Sequence, residues 1–503
     1  MGIVIRQSIK GTIVNYVGAF IGFLTTMFVV TKFLKPEEIG LTKVLYEVAL
    51  LFCGFAQLGT TASAMRFFPY FRNPEKKNHG FFFYLMVIPF LGACLLTIIY
   101  YCLRTPVTHF FCKNSALFLE YYDWVVPLMW FLVFWGVFET YSNLLMRIVI
   151  PRFIREVVVR VMLLAVYLLY AFHFLTLNGM VITYIVVYGI AMLMTLFYIS
   201  KIGTLSLKHD FSYIDKPLLT KFLKYTSFLV IGALSGNIIA QLDLFMVSSQ
   251  MGLDYAGIFT ISFYIAVVLE VPSRSITAIS SPLAAAALKE GNFQAANVLY
   301  KKVSLHQLIA GSTLFLFIWI NIDNVFAVIP NGAIYQEGKW VVFFIALSRL
   351  IYVTLGFGGT LISFSRYYYW GLYITFFLTL LTIYTNYLLI PVWGVTGAAV
   401  ATLITSIISY SFQQWIVLRK IKGNPYSIGT LKQVGVILIL LGVNYLMLPH
   451  WTTNPILDGC YRTFIIGIMW LILTYRLRIS EEVNLLLDRV KDRCIKNKII
   501  NRE

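Results

Sequence analysis

Charge is what this sequence has little of. Only 12% of its 503 residues are Asp, Glu, Lys or Arg, and acids are the scarcer sign, 22 against 40 bases. An ordinary soluble domain carries about 25% charged residues, so a water-solvated globule is excluded. Catalytic signatures are thin as well. The six cysteines form no C-x-x-C, and the six histidines show no metal-ligand spacing, so neither a metal site nor a dithiol motif is expected. No G-x-x-x-x-G-K-[ST] loop is present to cradle a nucleotide phosphate, which argues against an ATPase engine in this chain. Long polar loops are missing too. The longest predicted ones, 201–225 and 281–303, are too short to bury a core of their own. No small-residue cleavage pattern follows the first apolar run, which Arg6 and Lys10 precede, so that run is expected to be retained rather than removed as a signal peptide.

What is present is apolar: 59% of the residues are hydrophobic and 17% aromatic. Runs near the ~20 residues that carry a helix across a ~30 Å hydrocarbon core recur from end to end. A helix satisfies its own backbone groups in lipid, whereas a barrel strand would show short alternating segments. The chain therefore reads as an all-α polytopic membrane protein. Fourteen spans are predicted, at 11–33, 41–65, 81–103, 124–146, 157–175, 180–200, 226–249, 255–280, 304–328, 340–363, 371–390, 395–418, 432–449 and 460–476.

The bases test that count. With Met1 in the cytoplasm, 31 of the 40 fall on cytoplasmic segments and 7 on external ones, leaving Arg274 and Arg349 within spans. This is the positive-inside asymmetry, and it places both termini in the cytoplasm. The net charge of +18 is then a topology signal with an attraction to anionic inner-leaflet lipids, and no nucleic-acid partner is expected. In the basic tail, 477–503, Ile479, Val483, Leu486 and Val490 share one helical face, which suits a docked or surface-lying segment.

Internal repetition organises the spans. The first carries Gly18-x-x-x-Gly22 and the seventh Gly232-x-x-x-Gly236. Each is followed by a short external turn ending in Gly, "LKPEEIGL" (34–41) and "MGLDYAGI" (251–258). The next helix in each case leaves through a Pro, in "RFFPYF" and "ISSPLA". Six is an even number, so two six-helix halves face the same way, related by an axis along the membrane normal. The expected organisation is an N-terminal lobe (1–200), a cytoplasmic linker (201–225), a C-terminal lobe (226–418), two additional helices (419–476) and the tail. Two such lobes suit transport by alternating access, and the chain is not expected to be an enzyme.

These segments resemble the multidrug/oligosaccharidyl-lipid/polysaccharide exporter superfamily, and within it the polysaccharide transporter, O-antigen flippase-like branch. The resemblance runs along nearly the whole chain and is carried by "FLKPEEIGL" with "FAQLGTTASAMRFFP", "QLDLFMVSSQMGLDYAGIFTISFY", "LEVPSRSITAISSPLAAAALKEGN" and "VWGVTGAAVAT". It implies that a polyprenyl-diphosphate-linked oligosaccharide is flipped across a bacterial cytoplasmic (inner) membrane for surface polysaccharide or lipopolysaccharide biosynthesis. It further implies membrane lipids and polysaccharide assembly proteins as partners, no cofactor beyond a coupling ion (Na⁺ or H⁺), and a monomer. The lipid II flippase branch is similar at Glu270, Pro272 and Ser273 but carries an arginine three residues before that Glu, where this chain has Val267. That branch also has arginines in its first two helices, where "GAFIGFLTT" and "ALLFCGFAQLG" stand here. Another glycolipid is therefore the expected cargo. A cation-coupled multidrug exporter and a polytopic ligase or polymerase are the alternatives. The first usually has twelve spans, and the second needs reactive residues in an external loop.

Charges within spans are costly and face protein or water. Arg274 and Arg349 are the candidate ligands of a substrate diphosphate, because a guanidinium stays charged and donates in a planar fork that suits phosphate oxygens. Glu270, Asp243, Glu47 and Glu139 are the candidate cavity or coupling acids. Glu270 and Arg274 share a helical face in the favourable acid-first order, and Pro272 between them is expected to kink the helix. Two readings of that pair stay open, an internal salt bridge and a binding site. For Asp243 an ion-coupling role stands beside helix packing with Gln241 or Asn237. Arg147, Arg152, Arg155 and Arg160 form a predicted cytoplasmic rim, with a second role in greeting an anionic headgroup. "SRYYYWG" (365–371) reads as an interfacial anchor, "GVTGAA" as a close-packing segment, and His173 and His306 as structural.

Overall fold

With few polar side chains to pair with, the backbone groups of the apolar runs bond within their own segments, and the chain is helical throughout the described residues, with no strand. The computed structural model describes residues 14–73, 77–111, 113–145, 147–202, 241–447 and 452–485, with Leu205, Thr220 and Asp488. Arg6, Lys10, most of 201–225, residues 226–240 with Gly232 and Gly236, Leu486, Val490 and 491–503 lie outside them.

Among the described residues eleven helices are long and apolar enough to cross a membrane. They are Val14–Phe33, Pro36–Ala56, Asn78–Cys102, Tyr122–Leu144, Leu177–Ile202, Leu253–Lys289, Phe293–Ile320, Gly332–Leu355, Tyr369–Ile421, Ile428–Leu446 and Pro455–Arg476. The helix Tyr369–Ile421 covers the predicted eleventh and twelfth spans in 53 residues. At 1.5 Å per residue a straight helix of that length would reach about 80 Å, far beyond a bilayer. Gly394 interrupts it at φ 58°, ψ −137°, after Pro391. In the region of the predicted fifth span, Val149–Phe153, a π-helical Ile154–Val158 and Val159–Ala171 follow one another as a helical stretch. Its first turns hold Arg152, Arg155, Glu156 and Arg160. The loop expected at 281–303 is shorter than predicted: one helix runs to Lys289 and the next begins at Phe293. The segment 104–123, predicted to be external, is largely helical among its described residues, as Arg104–Phe111 and Ala116–Glu120.

Two compact units divide the chain. One is formed by the described residues of Met1–Ile261 and Thr375–Ala398. Its aromatic core gathers Phe68, Phe71, Phe81, Phe82, Phe138 and Tyr141. Glycine allows helices to meet backbone to backbone within it. A Cβ on Gly40 would lie 2.0 Å from the Leu253 carbonyl oxygen, and one on Gly257 would lie 2.1 Å from that of Pro36. These are the matching glycines of the two repeated turns, so the repeat pairs with itself. A Cβ on Gly18 would likewise lie 2.3 Å from the Glu156 carbonyl oxygen.

The other unit comprises Ser262–Ile374 and the described residues of Ala399–Glu503. One of its cores surrounds Tyr300, Phe357, Leu361, Ile416 and Val417. A second joins the last helices, with Leu316, Val436, Leu440 and Ile466, to Ile479 of the tail. The described start of the tail packs here through Ile479 and Val483, while Leu486 and Val490 of the predicted face lie outside the described residues. Lys302 holds Glu482 at 2.8 Å. Hydrogen bonds from Lys302 and from its own backbone pull the Glu482 carboxyl down from 4.5 to about 2. His306 meets Ser480 at 3.2 Å, a partner the sequence did not announce. Asp458 and Arg462 form a buried pair at 2.8 Å in the helix Pro455–Arg476.

Candidate functional site

Glu270 closes a tight 3₁₀ turn, Val267–Glu270, inside the helix Leu253–Lys289. Pro272 falls at the start of the α-helical segment that follows, Val271–Lys289. The change of winding lies in the turn just before it, where a proline within a helix lacks the N–H for the i−4 bond and crowds that carbonyl. Ser273 Oγ donates to the Glu270 carbonyl at 2.8 Å. From the neighbouring helix, Phe293–Ile320, buried Gln307 donates to Thr277 Oγ1 at 2.8 Å and to the Ser273 carbonyl at 3.4 Å. Those bonds fix the turn that presents Glu270.

The carboxylate is held mainly by a different arginine from the one its spacing suggested. Arg349, on the helix Lys339–Leu355, donates from Nη1 to Glu270 Oε1 at 3.0 Å. Arg274 Nη2 lies 3.9 Å from the other oxygen, Oε2. That is an ion pair without a hydrogen bond. The reason is geometric: Glu270 sits in the tightened turn, and Arg274 extends outward with its side chain 71% exposed. The Glu270 side chain is only 13% exposed and that of Arg349 27%. Arg349 also lies over the Phe263 ring, 5.0 Å from its centre. Its Nε is buried with no hydrogen-bond partner among the described residues. Tyr352 stands within electrostatic reach of all three charges. One carboxylate faces two guanidinium groups, so the cluster keeps a surplus positive charge.

The other predicted residues fall elsewhere. Asp243 is buried and accepts from Asn386 Nδ2 at 2.8 Å, while Asn386 Oδ1 is buried without a donor among the described residues. Asn386 is thus a neighbour of Asp243 in space, and Asn237 lies outside the described residues. Glu47 pairs with Lys43. Glu139 meets Arg155 at 2.5 Å, and Arg155 lies 5.0 Å from the Trp135 ring centre. Arg160 binds Glu156 at 2.8 Å and the Gly18 carbonyl at 2.6 Å. Arg152 is half-buried, and Arg147 is exposed with its carbonyl accepting from Ser142 Oγ. Of the rim arginines, then, Arg155 and Arg160 are engaged by acids. Among the described residues no cluster of three His, Cys, Asp or Glu side chains is placed to hold a metal ion. Sequence reasoning missed Phe263 and Gln307. Their signals were the i, i+7 spacing of Phe263 from Glu270 and an amide, Gln307, within the apolar part of its helix.

The arrangement of helices is shared with solved transporters. An inward-facing multidrug resistance MATE family transporter of the MOP superfamily matches with a TM-score of 0.60, covering 81% of this chain and 98% of that one at 13% identity. A MOP superfamily transporter from Pyrococcus furiosus matches at 0.54, covering 84% and 96% at 14% identity. The chain has the MOP-superfamily fold. A structure of the lipid II flippase MurJ, in an inward closed conformation, matches at 0.73 and covers 94% of this chain and all of that one, at 14% identity. No family model matches the sequence, and no curated protein matches it. The shared helix arrangement establishes the fold, and identities of 13–14% leave function to the residues themselves.

Proposed function

We propose that this protein flips a lipid-linked oligosaccharide, carried on a polyprenyl diphosphate, from the inner to the outer leaflet of a bacterial cytoplasmic membrane. The observation that carries the reading is the Arg274–Glu270–Arg349 cluster: two guanidinium groups within apolar helices, with more positive charge than its carboxylate offsets. A charge kept inside a membrane segment needs a partner or a task, and a diphosphate supplies acceptor oxygens for both forks. The MOP fold and its likeness to a lipid II flippase support a lipid cargo. Val267, standing where that branch has an arginine, favours a glycolipid other than the peptidoglycan precursor. Transport by alternating access is coupled to Na⁺ or H⁺ through Asp243, a buried carboxylate whose neighbour Asn386 keeps an oxygen without a donor among the described residues. A cation-coupled drug exporter fits a cluster of surplus positive charge poorly.

The test is a clean deletion complemented with wild-type, Arg274→Ala and Arg349→Ala genes, scored by surface glycan and by the leaflet in which the lipid-linked glycan accumulates. Deletion is expected to trap the glycan on the cytoplasmic face, and each alanine variant to restore little surface polymer. Full complementation by both variants would overturn the diphosphate assignment, and normal surface polymer after deletion would overturn the function.

A further inference from the structure

We infer that Glu270 is a specificity-determining residue that reserves the two arginines for ligands carrying two or more negative charges. The inference rests on the diphosphate reading above and adds a function for the acid at the same site. The carboxylate already occupies the place of an anion: one oxygen on Arg349 at 3.0 Å, the other facing Arg274 at 3.9 Å. Its two contacts are unequal. Arg274 is open, so a ligand engages it without breaking a hydrogen bond, whereas the Nη1 of Arg349 is already taken by Glu270 and a ligand must compete for it. Arg349 itself is well placed to wait, backed by the Phe263 ring and with a spare buried Nε donor.

Consider the two kinds of phosphate this protein meets in a membrane. A phospholipid diester carries one negative charge. Settled on Arg274, it lies close to the Glu270 carboxylate, whose repulsion offsets much of the attraction in a medium of low dielectric. It also lacks a second charged group with which to compete for Arg349. A diphosphate diester carries two charges on adjacent phosphates. It bridges both guanidinium groups and returns to Arg349 the charge-assisted hydrogen bond that Glu270 gives up. Bulk phospholipid vastly outnumbers any carrier lipid, so rejecting the singly charged headgroup matters as much as binding the doubly charged one. Discrimination of this kind comes from a built-in repulsive element, and a carboxylate between the arginines is such an element.

The experiment titrates the purified full chain in detergent with inorganic pyrophosphate and with diethyl phosphate, a multiply and a singly charged probe, by calorimetry. Wild type is expected to bind pyrophosphate and to bind diethyl phosphate far more weakly. In Glu270→Gln, which keeps the side-chain shape and one acceptor, diethyl phosphate affinity is expected to rise by about tenfold or more, the order expected for removing one nearby charge. The ratio between the two probes should narrow accordingly. In vesicles containing fluorescent phosphatidylglycerol, the same variant is expected to flip that lipid while wild type does not. Arg274→Gln, at an exposed position that leaves the Glu270–Arg349 bond in place, is expected to lose pyrophosphate binding. An unchanged ratio in Glu270→Gln, or loss of binding to both probes in that variant, would overturn the specificity role and leave the site. Wild-type pyrophosphate affinity in Arg274→Gln, or no pyrophosphate binding by wild type, would instead overturn the diphosphate site and the inference with it.

Discussion

At the scale of single residues, burial separates two arginines that look alike in sequence. Arg349 supplies the hydrogen bond to a nearly buried carboxylate, whereas Arg274 reaches the same acid from an exposed position at 3.9 Å. Arg349→Ala is therefore expected to destabilise the protein by about 1.5–3 kcal/mol, the usual worth of a hydrogen bond to a charged group. Arg274→Ala should stay within about 0.5 kcal/mol. Thermal unfolding in detergent measures both, and equal shifts would show that the 3.0 Å contact is not what holds Glu270. Asp243→Asn makes a second prediction. Transport in vesicles should lose its dependence on an imposed Na⁺ or H⁺ gradient, and a variant that still follows the gradient would remove Asp243 from the coupling path. The charged residues themselves were legible because an ionisable group inside an apolar run stands out. Their pairing was not, because it depends on which helix lies beside which.

Elements are decided by how closely backbones approach. Gly40 and Gly257 face the carbonyls of Leu253 and Pro36 across distances that admit no Cβ. Either glycine changed to Ala should push the two helices apart and cost about 1–3 kcal/mol, as overpacking does. Gly435 has nothing within 4 Å of where its Cβ would stand. There the exchange should be neutral or stabilising by up to about 1 kcal/mol, since Ala is the better helix former. Similar midpoints for Gly40→Ala and Gly435→Ala would show that the crossing tolerates separation. The repeated Gly at the end of each short turn, at Gly40 and Gly257, was visible in sequence as a match between two segments. That the two matched glycines lie in one crossing is a fact of packing. The Gly394 break is of the same kind: hydropathy placed two spans there, and a backbone geometry suited to glycine turns one continuous helical run into them.

For the whole molecule, composition and charge asymmetry predict both termini on the cytoplasmic side. Protease added outside intact spheroplasts should spare a tag at either end, and cleavage of one alone would reverse half of the topology. The docked tail adds a pH prediction. Glu482 is held well below its ordinary pKa, to about 2, first by the hydrogen bond from Lys302. A depressed carboxyl contributes its stability in full above the unfolded value of 4.5 and loses it as the pH falls toward 2. Hydrogen-exchange protection of residues 480–485 should therefore hold down to about pH 4.5 and decline below it. Glu482→Gln should show reduced protection at neutral pH already. Protection that is flat from neutral pH to 2 would leave only the apolar contacts of Ile479 and Val483 holding the tail.

Sequence by itself determined that this is a many-helix membrane protein, where most of its spans run, and which few residues carry charge inside them. It did so because hydropathy and the cost of burying charge act on each segment independently of its neighbours. The MOP fold was legible through an ordered set of short motifs spread over the chain. Tertiary structure alone decided that Glu270 belongs first to Arg349, that Asp243 answers to Asn386, and that Arg155 is engaged by Glu139. Each of these joins residues that lie far apart along the chain, or departs from ideal helical spacing at a tightened or widened turn. Such contacts are set by the packing of helix on helix, which no local pattern records.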